Sequence, residues 1–125
     1  MLALRRRHLE PVEIIPHLEL IIGPQPPLVE LPPADAQRRF HWVFQKFIGV
    51  FATEARPLAL FLDDLQWADL ASLTLIAYLI THPDTRYLFL LGAYRDNEVS
   101  LLHPLMRTLA EIRESDALSE EIVLQ

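Results

Sequence analysis

The sequence predicts an α/β fold in which helices flank a parallel sheet. Three observations support this prediction: short apolar runs suited to buried strands, amphipathic segments between them, and prolines or charged residues at the boundaries. Helix, strand, helix, strand, helix, strand is the predicted order after the first third of the chain. Ligands of such sheets bind beyond the carboxyl ends of the strands, so the residues there decide the functional interpretation.

The composition limits the possible classes of function. The chain has 125 residues, of which 51% are hydrophobic, and a formal net charge of −6, so we expect one modest globular domain that does not bind nucleic acid. It contains no cysteine, which excludes disulfides and thiol catalysis. No apolar run approaches the roughly 20 residues that span a bilayer, and no signal-peptide pattern follows the N-terminal arginines. We therefore expect a cytoplasmic protein without a membrane span.

The first third of the chain differs from the rest. Most of the ten prolines lie in residues 11–33, where each removes a backbone donor and favours an extended predecessor. We therefore predict a proline-rich connecting segment over residues 1–33 and a folded part over residues 34–125.

The folded part shows alternating periodicities. Aromatic residues at helical spacing predict an amphipathic helix with Asp35 as its N-cap. Two continuous apolar runs predict strands that are buried on both faces. The predicted helices cover residues 35–54, 70–81 and 104–114, and the predicted strands cover residues 58–62 and 87–94, with a last strand beginning at 121–125.

Two adjacent carboxylates, Asp63 and Asp64, follow the first predicted strand. Adjacent negative charges repel each other unless a cation or hydrogen-bond donors lie between them. In phosphate-loop ATPases one acid at this position holds Mg²⁺ and the next polarises the attacking water. Aspartate also favours turns and helix caps, and the pattern alone leaves both interpretations open.

Arg95 follows the second predicted strand. An arginine at a strand end beside the acids can reach the γ-phosphate of a nucleotide and respond to its presence. The alternative is a surface arginine that pairs with Asp96 or Glu98. If Arg95 lies beside the acids, one edge of the sheet carries a magnesium ligand, a base and a phosphate sensor.

The blocks LALFLDDLQWAD and YLFLLGAYRDNEV, together with the upstream HLELIIGPQPPLVELPPADAQRRFHWVFQKFIGVFA, resemble the AAA-type ATPase module of large bacterial signalling proteins. Those proteins join a serine/threonine kinase-like domain, this module and often a sensor histidine kinase. The module belongs with the signal-transduction ATPases with numerous domains (STAND) and is similar to the origin-recognition-like AAA group. The resemblance covers residues 14–125. It implies that residues 34–125 hold the C-terminal part of a P-loop ATPase core, with the Walker B strand, the sensor strand and the start of the last strand.

The resemblance also implies roles for individual residues. Asp63 would be the Mg²⁺ ligand, Asp64 the catalytic acid that activates water, and Arg95 the arginine that contacts ATP. Within the same block we expect Trp67 to pack against the following helix and Asp69 to cap that helix.

The sequence departs from the family in one respect, because no Gly-x-x-x-x-Gly-Lys-Ser/Thr phosphate loop occurs in it. The only lysine, Lys46, lies inside the predicted aromatic helix and cannot replace that loop. We therefore expect a partial P-loop NTPase fold, a three-layer parallel sheet with flanking helices whose central phosphate-loop strand is missing.

The expected function is an ATP-binding and hydrolysing switch module of a signal-transduction protein, truncated here and inactive alone. Its expected partners are other domains of a multidomain protein or a missing N-terminal half. The alternative is a non-catalytic interaction domain on a degenerate NTPase scaffold. A weaker third interpretation, a metal-dependent phosphohydrolase, would need more acids or histidines at neighbouring strand ends than Asp96 and Glu98.

Overall fold

The computed structural model describes Leu20 and residues 31–124. The chain divides between Ile48 and Gly49 into two compact units. In chain order the helices and strands are α1 (Pro33–Phe51), β1 (Leu58–Leu62), α2 (Leu70–Thr81), β2 (Leu88–Gly92) and α3 (Pro104–Glu114), with short 3₁₀ turns at Leu65–Trp67 and Asp96–Glu98. No helix in the described part of the chain is long and apolar enough to cross a membrane.

Helix α1 begins earlier than the sequence predicts. Its first residue is Pro33, a residue that suits the first turn because the missing N–H would have no partner inside the helix. The assignment of Asp35 as the N-cap was therefore wrong. Asp35 lies within the first turn, where its negative charge is favourable and where it pairs with Arg38.

The aromatic residues of α1 form the row that their spacing predicts. The ring centroids of Phe40 and Phe44 are 5.8 Å apart, and those of Phe44 and Phe47 are 6.1 Å apart. Beyond the helix, Thr53 and Arg56 exchange two backbone hydrogen bonds of 3.0 Å. This tight turn leads the chain into β1.

Strands β1 and β2 are parallel and in register, with Leu58 opposite Leu88 and Leu62 opposite Gly92. They are connected through α2, as parallel neighbours require. Strand β1 has the predicted bounds, whereas β2 is shorter than residues 87–94. Tyr87 has φ 57°, a left-handed conformation that cannot continue a strand, and the chain leaves the ladder after Ala93.

The prediction that both strands are buried on both faces was wrong. Exposure alternates along each strand, and one face of the pair carries exposed apolar side chains, among them Phe61 at 61% and Phe89 at 63%. The other face contributes Leu62 to the core. The core therefore lies on one side of the sheet, as in sheets with one solvated face.

The core of the second unit is formed by Leu65, Leu73 and Leu105. Leu73 in α2 is 0% exposed and Leu105 in α3 is 1% exposed, and the two helices pack against each other. Leu65 belongs to the 3₁₀ turn that follows β1. The turn between β1 and α2 is thus anchored by an apolar side chain.

The last strand predicted at residues 121–125 is not formed, because the described residues 118–124 have no regular secondary structure. Glu121 is held instead by side chains: it accepts a 2.8 Å hydrogen bond from the Tyr94 hydroxyl and pairs with Arg113. The Glu121 hydrogen bond raises the pKa of the Tyr94 phenol, because the carboxylate favours the protonated hydroxyl. A two-stranded parallel sheet with three helices is compatible with part of a P-loop NTPase fold.

Candidate functional site

The segments that follow the two strands are joined by backbone hydrogen bonds. The Ala93 N–H donates to the Leu62 carbonyl over 2.8 Å, and the Leu65 N–H donates to the Ala93 carbonyl over 2.9 Å. Gly92 leaves room for the Leu65 side chain there, since a Cβ added at Gly92 would lie 2.6 Å from Leu65 Cδ1. The polar residues after β1 and β2 therefore meet at one edge of the sheet.

Asp63 and Asp64 form the turn at the end of β1. The Asp64 N–H donates to Asp63 Oδ1 over 2.8 Å, and Asp64 adopts φ 53° and ψ 42°. This left-handed conformation is uncommon outside glycine, but aspartate and asparagine tolerate it. Both residues are exposed. The left-handed conformation of Asp64 therefore occurs where two carboxylates face solvent.

The turn interpretation of these acids is therefore correct in one respect and incorrect in another. Asp64 does begin a turn, because its carbonyl accepts a hydrogen bond from the Trp67 N–H over 3.0 Å. Asp64, however, makes no side-chain cap to the 3₁₀ turn after it. The capping role belongs to Asp69, whose side chain accepts a 2.7 Å hydrogen bond from the Ser72 N–H at the start of α2. The prediction for Asp69 is confirmed.

Gln66 connects the two strand ends. It is 5% exposed, and its Nε2 donates to Asp64 Oδ1 over 3.0 Å and approaches Glu98 Oε2 at 3.5 Å. Its Oε1 accepts the Arg95 backbone N–H over 3.3 Å. The structure thus brings Asp64 and Arg95 to one side chain, whereas the Asp63 carboxylate is hydrogen-bonded locally to the Asp64 N–H.

The guanidinium of Arg95 is paired with the nearby Glu98. Arg95 Nη1 lies 3.1 Å from Glu98 Oε1, and the Arg95 side chain is 67% exposed. Exposed pairs of this kind contribute about 0–1 kcal/mol. The contact matches the ion-pair interpretation of Arg95, yet it is weak enough that a phosphate could compete for the same cation.

Trp67 does not pack as predicted, because 77% of it is exposed. The neighbouring Leu65 occupies the core instead, and Gln66 is buried beside it. In a 3₁₀ turn of three residues only some side chains can face inward, and here Trp67 faces outward. Sequence reasoning missed Gln66 because two of its partners, Arg95 and Glu98, lie about 30 positions away in the chain.

Asp69 provides a pH-dependent test of the turn after β1. Hydrogen bonds from the side chain and backbone of Ser72 hold the pKa of the Asp69 carboxyl below its ordinary value. A lowered pKa stabilises the fold above the unfolded-state pKa, and this stabilisation is lost as pH falls through the folded-state pKa. We expect Asp69→Asn, which keeps the cap without the charge, to lower Tm at neutral pH.

Thermal unfolding followed by circular dichroism from neutral to acidic pH would measure this difference. The gap in Tm between the wild type and Asp69→Asn should narrow as pH falls. A gap that is constant across the whole range would show that the charge of Asp69 contributes nothing.

At the acidic edge the described residues offer isolated carboxylates and no metal-binding cluster. No three His, Cys, Asp or Glu side chains of the described residues lie close enough together to hold a metal. Mg²⁺ commonly binds one or two carboxylates and keeps water and phosphate oxygens as its other ligands. The exposed Asp63 carboxylate suits that role.

Lys46 lies inside α1, as predicted from the sequence. Its Nζ lies 6.0 Å from the Trp42 ring centroid.

Comparison with known proteins adds two matches. The family described as AAA ATPase domain matches residues 2–91, which include both acids and end before Arg95. The hybrid signal transduction histidine kinase G of Dictyostelium discoideum is 47% identical over 68 residues, which is 54% of this chain and 2% of that protein. The chain thus spans a small fraction of that relative's length. No solved structure matches the chain.

Proposed function

Because the chain belongs to the AAA ATPase domain family, we propose that it forms part of an ATP-binding and hydrolysing switch module of a signal-transduction protein. The similarity to a hybrid signal transduction histidine kinase supports the signalling context. Its partners would then be other domains of a multidomain protein, as in the STAND proteins. In this proposal the two strands belong to a three-layer P-loop sheet whose central strand lies outside these residues.

One observation carries the proposal: Asp64 at the end of β1 and Arg95 after β2 are hydrogen-bonded to the same buried glutamine. Asp63, as the Walker B acid, would hold Mg²⁺, and Asp64 would accept a hydrogen bond from the attacking water and orient it. Arg95 would leave Glu98 and neutralise charge on the γ-phosphate. Bound Mg²⁺ and ATP would supply the polarised phosphorus that water attacks.

The phosphate-binding half of the site must come from other residues. The sequence lacks a Gly-x-x-x-x-Gly-Lys-Ser/Thr loop, so it lacks the convergent backbone N–H groups and the lysine that neutralise a triphosphate. We therefore expect no measurable hydrolysis by residues 1–125 alone. The proposal applies to a loop-complemented protein, defined as this chain fused behind a phosphate-loop segment of an AAA ATPase domain.

A non-catalytic interaction domain is the second candidate. It is favoured by the exposed apolar face of the sheet, where Phe61 and Phe89 are each more than 60% exposed. Large exposed apolar patches often mark protein interfaces. This function would need neither acid of the turn.

Calorimetric titration with Mg-ATP separates the two candidates. We expect saturable binding by the loop-complemented protein and none by the chain alone, because the phosphate contacts come from the added loop. Mg-ATP binding by the chain alone would contradict the proposal that the phosphate contacts come from other residues. If the complemented protein folds cooperatively but binds no nucleotide, the interaction domain is the better account.

A further inference from the structure

We propose that Gln66 is a positioning residue that couples the Asp64 carboxylate to Arg95. The inference rests on the proposed function for its role in ATP hydrolysis. The coupling itself is a property of the chain without nucleotide. It assigns a role to the buried polar residue of the DDLQWAD block.

The hydrogen bonds of Gln66 allow one orientation of its side-chain amide. Its oxygen faces a donor, the Arg95 N–H at 3.3 Å, and its nitrogen faces two carboxylates, Asp64 at 3.0 Å and Glu98 at 3.5 Å. The opposite orientation would place the oxygen against two carboxylates and the NH₂ group against an N–H. Because the residue is 5% exposed, water cannot readily replace these partners.

Gln66, Glu98 and Arg95 form a closed ring of contacts. Gln66 Oε1 accepts from the Arg95 backbone, Gln66 Nε2 approaches Glu98 Oε2, and Glu98 Oε1 pairs with the Arg95 guanidinium. Asp64 is attached to this ring through the same Nε2 atom. Glu98 therefore contacts both the cation and the amide that holds Asp64.

Gln66 Nε2 has two hydrogens and two carboxylate acceptors at unequal distances. Each hydrogen can serve one carboxylate, so a change in the hydrogen bonding of Asp64 acts by moving the amide group, which also changes its distances to Glu98 and to the Arg95 N–H. Glu98 then holds Arg95 more or less firmly. A change at the water-activating acid is thus transmitted to the phosphate-sensing arginine through a single side chain.

Nuclear magnetic resonance of the ¹⁵N-labelled chain tests this coupling without nucleotide. We expect Asp64→Asn to shift the Arg95 backbone amide resonance in the otherwise wild-type chain. The same substitution should leave that resonance in place in the Gln66→Met background, which removes both ends of the amide. An Arg95 shift of equal size in the two backgrounds, or no shift in either, would overturn the proposal.

A second variant separates the two ends of the side chain. Gln66→Glu keeps an acceptor for the Arg95 N–H but removes both donors. We expect Arg95 to retain its protection from hydrogen exchange in Gln66→Glu and to lose it in Gln66→Met. Equal protection of the Arg95 N–H in Gln66→Glu and Gln66→Met would overturn the proposal.

Gln45→Met is the matched control. Gln45 is also 5% exposed and lies in α1, so this variant removes an equally buried amide elsewhere. The Arg95 response to Asp64→Asn should survive it, and loss of the response would overturn the proposal. If Gln66→Met does not fold, the Gln66 NH₂ resonances of the wild type serve instead. They should shift on Asp64→Asn and on Glu98→Gln, and two unmoved resonances would refute the coupling.

Hydrolysis by the loop-complemented protein distinguishes the two proposals. Gln66→Met should lower kcat by a larger factor than it raises KM for Mg-ATP, since Gln66 orients the acid that acts on water and also contacts the backbone of the arginine that faces the γ-phosphate. If the complemented protein hydrolyses ATP but the Arg95 resonance does not respond to Asp64→Asn, the role of Gln66 is overturned and the proposed function is not. Coupling in a complemented protein that neither binds nor hydrolyses ATP would overturn the proposed function and leave the coupling intact.

Discussion

Asp64→Asn is expected to lower the rate of ATP hydrolysis by the loop-complemented protein by roughly 10²–10⁴-fold, the range for loss of a group that acts as general base. The substitution removes the charge and basicity of the carboxylate but keeps its size. Asparagine tolerates the left-handed backbone that Asp64 adopts at φ 53°, and its side-chain oxygen can still accept from Gln66. Kcat should therefore fall without loss of the turn.

The control for this variant is Asp116→Asn, which changes another exposed aspartate beyond the end of α3. It should leave hydrolysis unchanged. Affinity for Mg-ATP, measured by calorimetry, should remain close to that of the wild type in Asp64→Asn. Full hydrolysis by Asp64→Asn would remove this residue from the proposed mechanism.

Leu73→Ala is expected to destabilise the second unit by about 2–5 kcal/mol, the usual cost of a buried leucine-to-alanine change. Leu73 is 0% exposed and packs with Leu65 and Leu105, so the lost side chain leaves a cavity at the centre of this core. Ordinary domains are stable by only about 5–15 kcal/mol. The variant should unfold at a much lower urea concentration, as measured by circular dichroism.

Leu101→Ala is the matched control, because Leu101 is 91% exposed. Its unfolding free energy should stay within about 0.5 kcal/mol of the wild type, as is usual for surface changes. Equal destabilisation by the two variants would mean that the described core is not the source of stability. Such a result would also weaken the geometry of the strand ends, which Leu65 anchors to that core.

The elements with clear local signals were predicted well. Helix α2 begins after Asp69, whose side chain caps it. Helix α3 begins after His103, whose Nδ1 accepts from the Leu105 N–H over 3.1 Å, and its first residue is Pro104. Caps, prolines and apolar periods are encoded within a few residues. Their boundaries can therefore be read without tertiary information.

The features that depend on distant partners were not predicted. Whether the sheet face with Phe61 and Phe89 is covered depends on what packs against the sheet. A continuous apolar run in the sequence does not distinguish a covered face from an exposed one. The last strand would need a neighbour for its backbone, and side-chain contacts hold Glu121 instead. The position of Gln66 between Asp64 and Arg95 follows from the register of β1 and β2. No local pattern encodes it.

The sequence identified the residues of the candidate site, and the catalytic and binding roles of those residues remain predictions. The sequence identified Asp63, Asp64 and Arg95 by their positions after apolar strands and by family resemblance. The structure adds the left-handed turn at Asp64, the ion pair of Arg95 with Glu98 and the link through Gln66. Local chemistry therefore identified the residues, and only the fold revealed how two of them are connected.

Magnesium dependence of ATP binding tests the central claim, that this sheet edge holds the acidic half of an ATPase site. Calorimetry would compare ATP with and without Mg²⁺ in the loop-complemented wild type, Asp63→Asn and the control Asp84→Asn. The account predicts that Mg²⁺ strengthens ATP binding in the wild type and in Asp84→Asn, and that Asp63→Asn loses most of this gain. An undiminished magnesium effect in Asp63→Asn would contradict it.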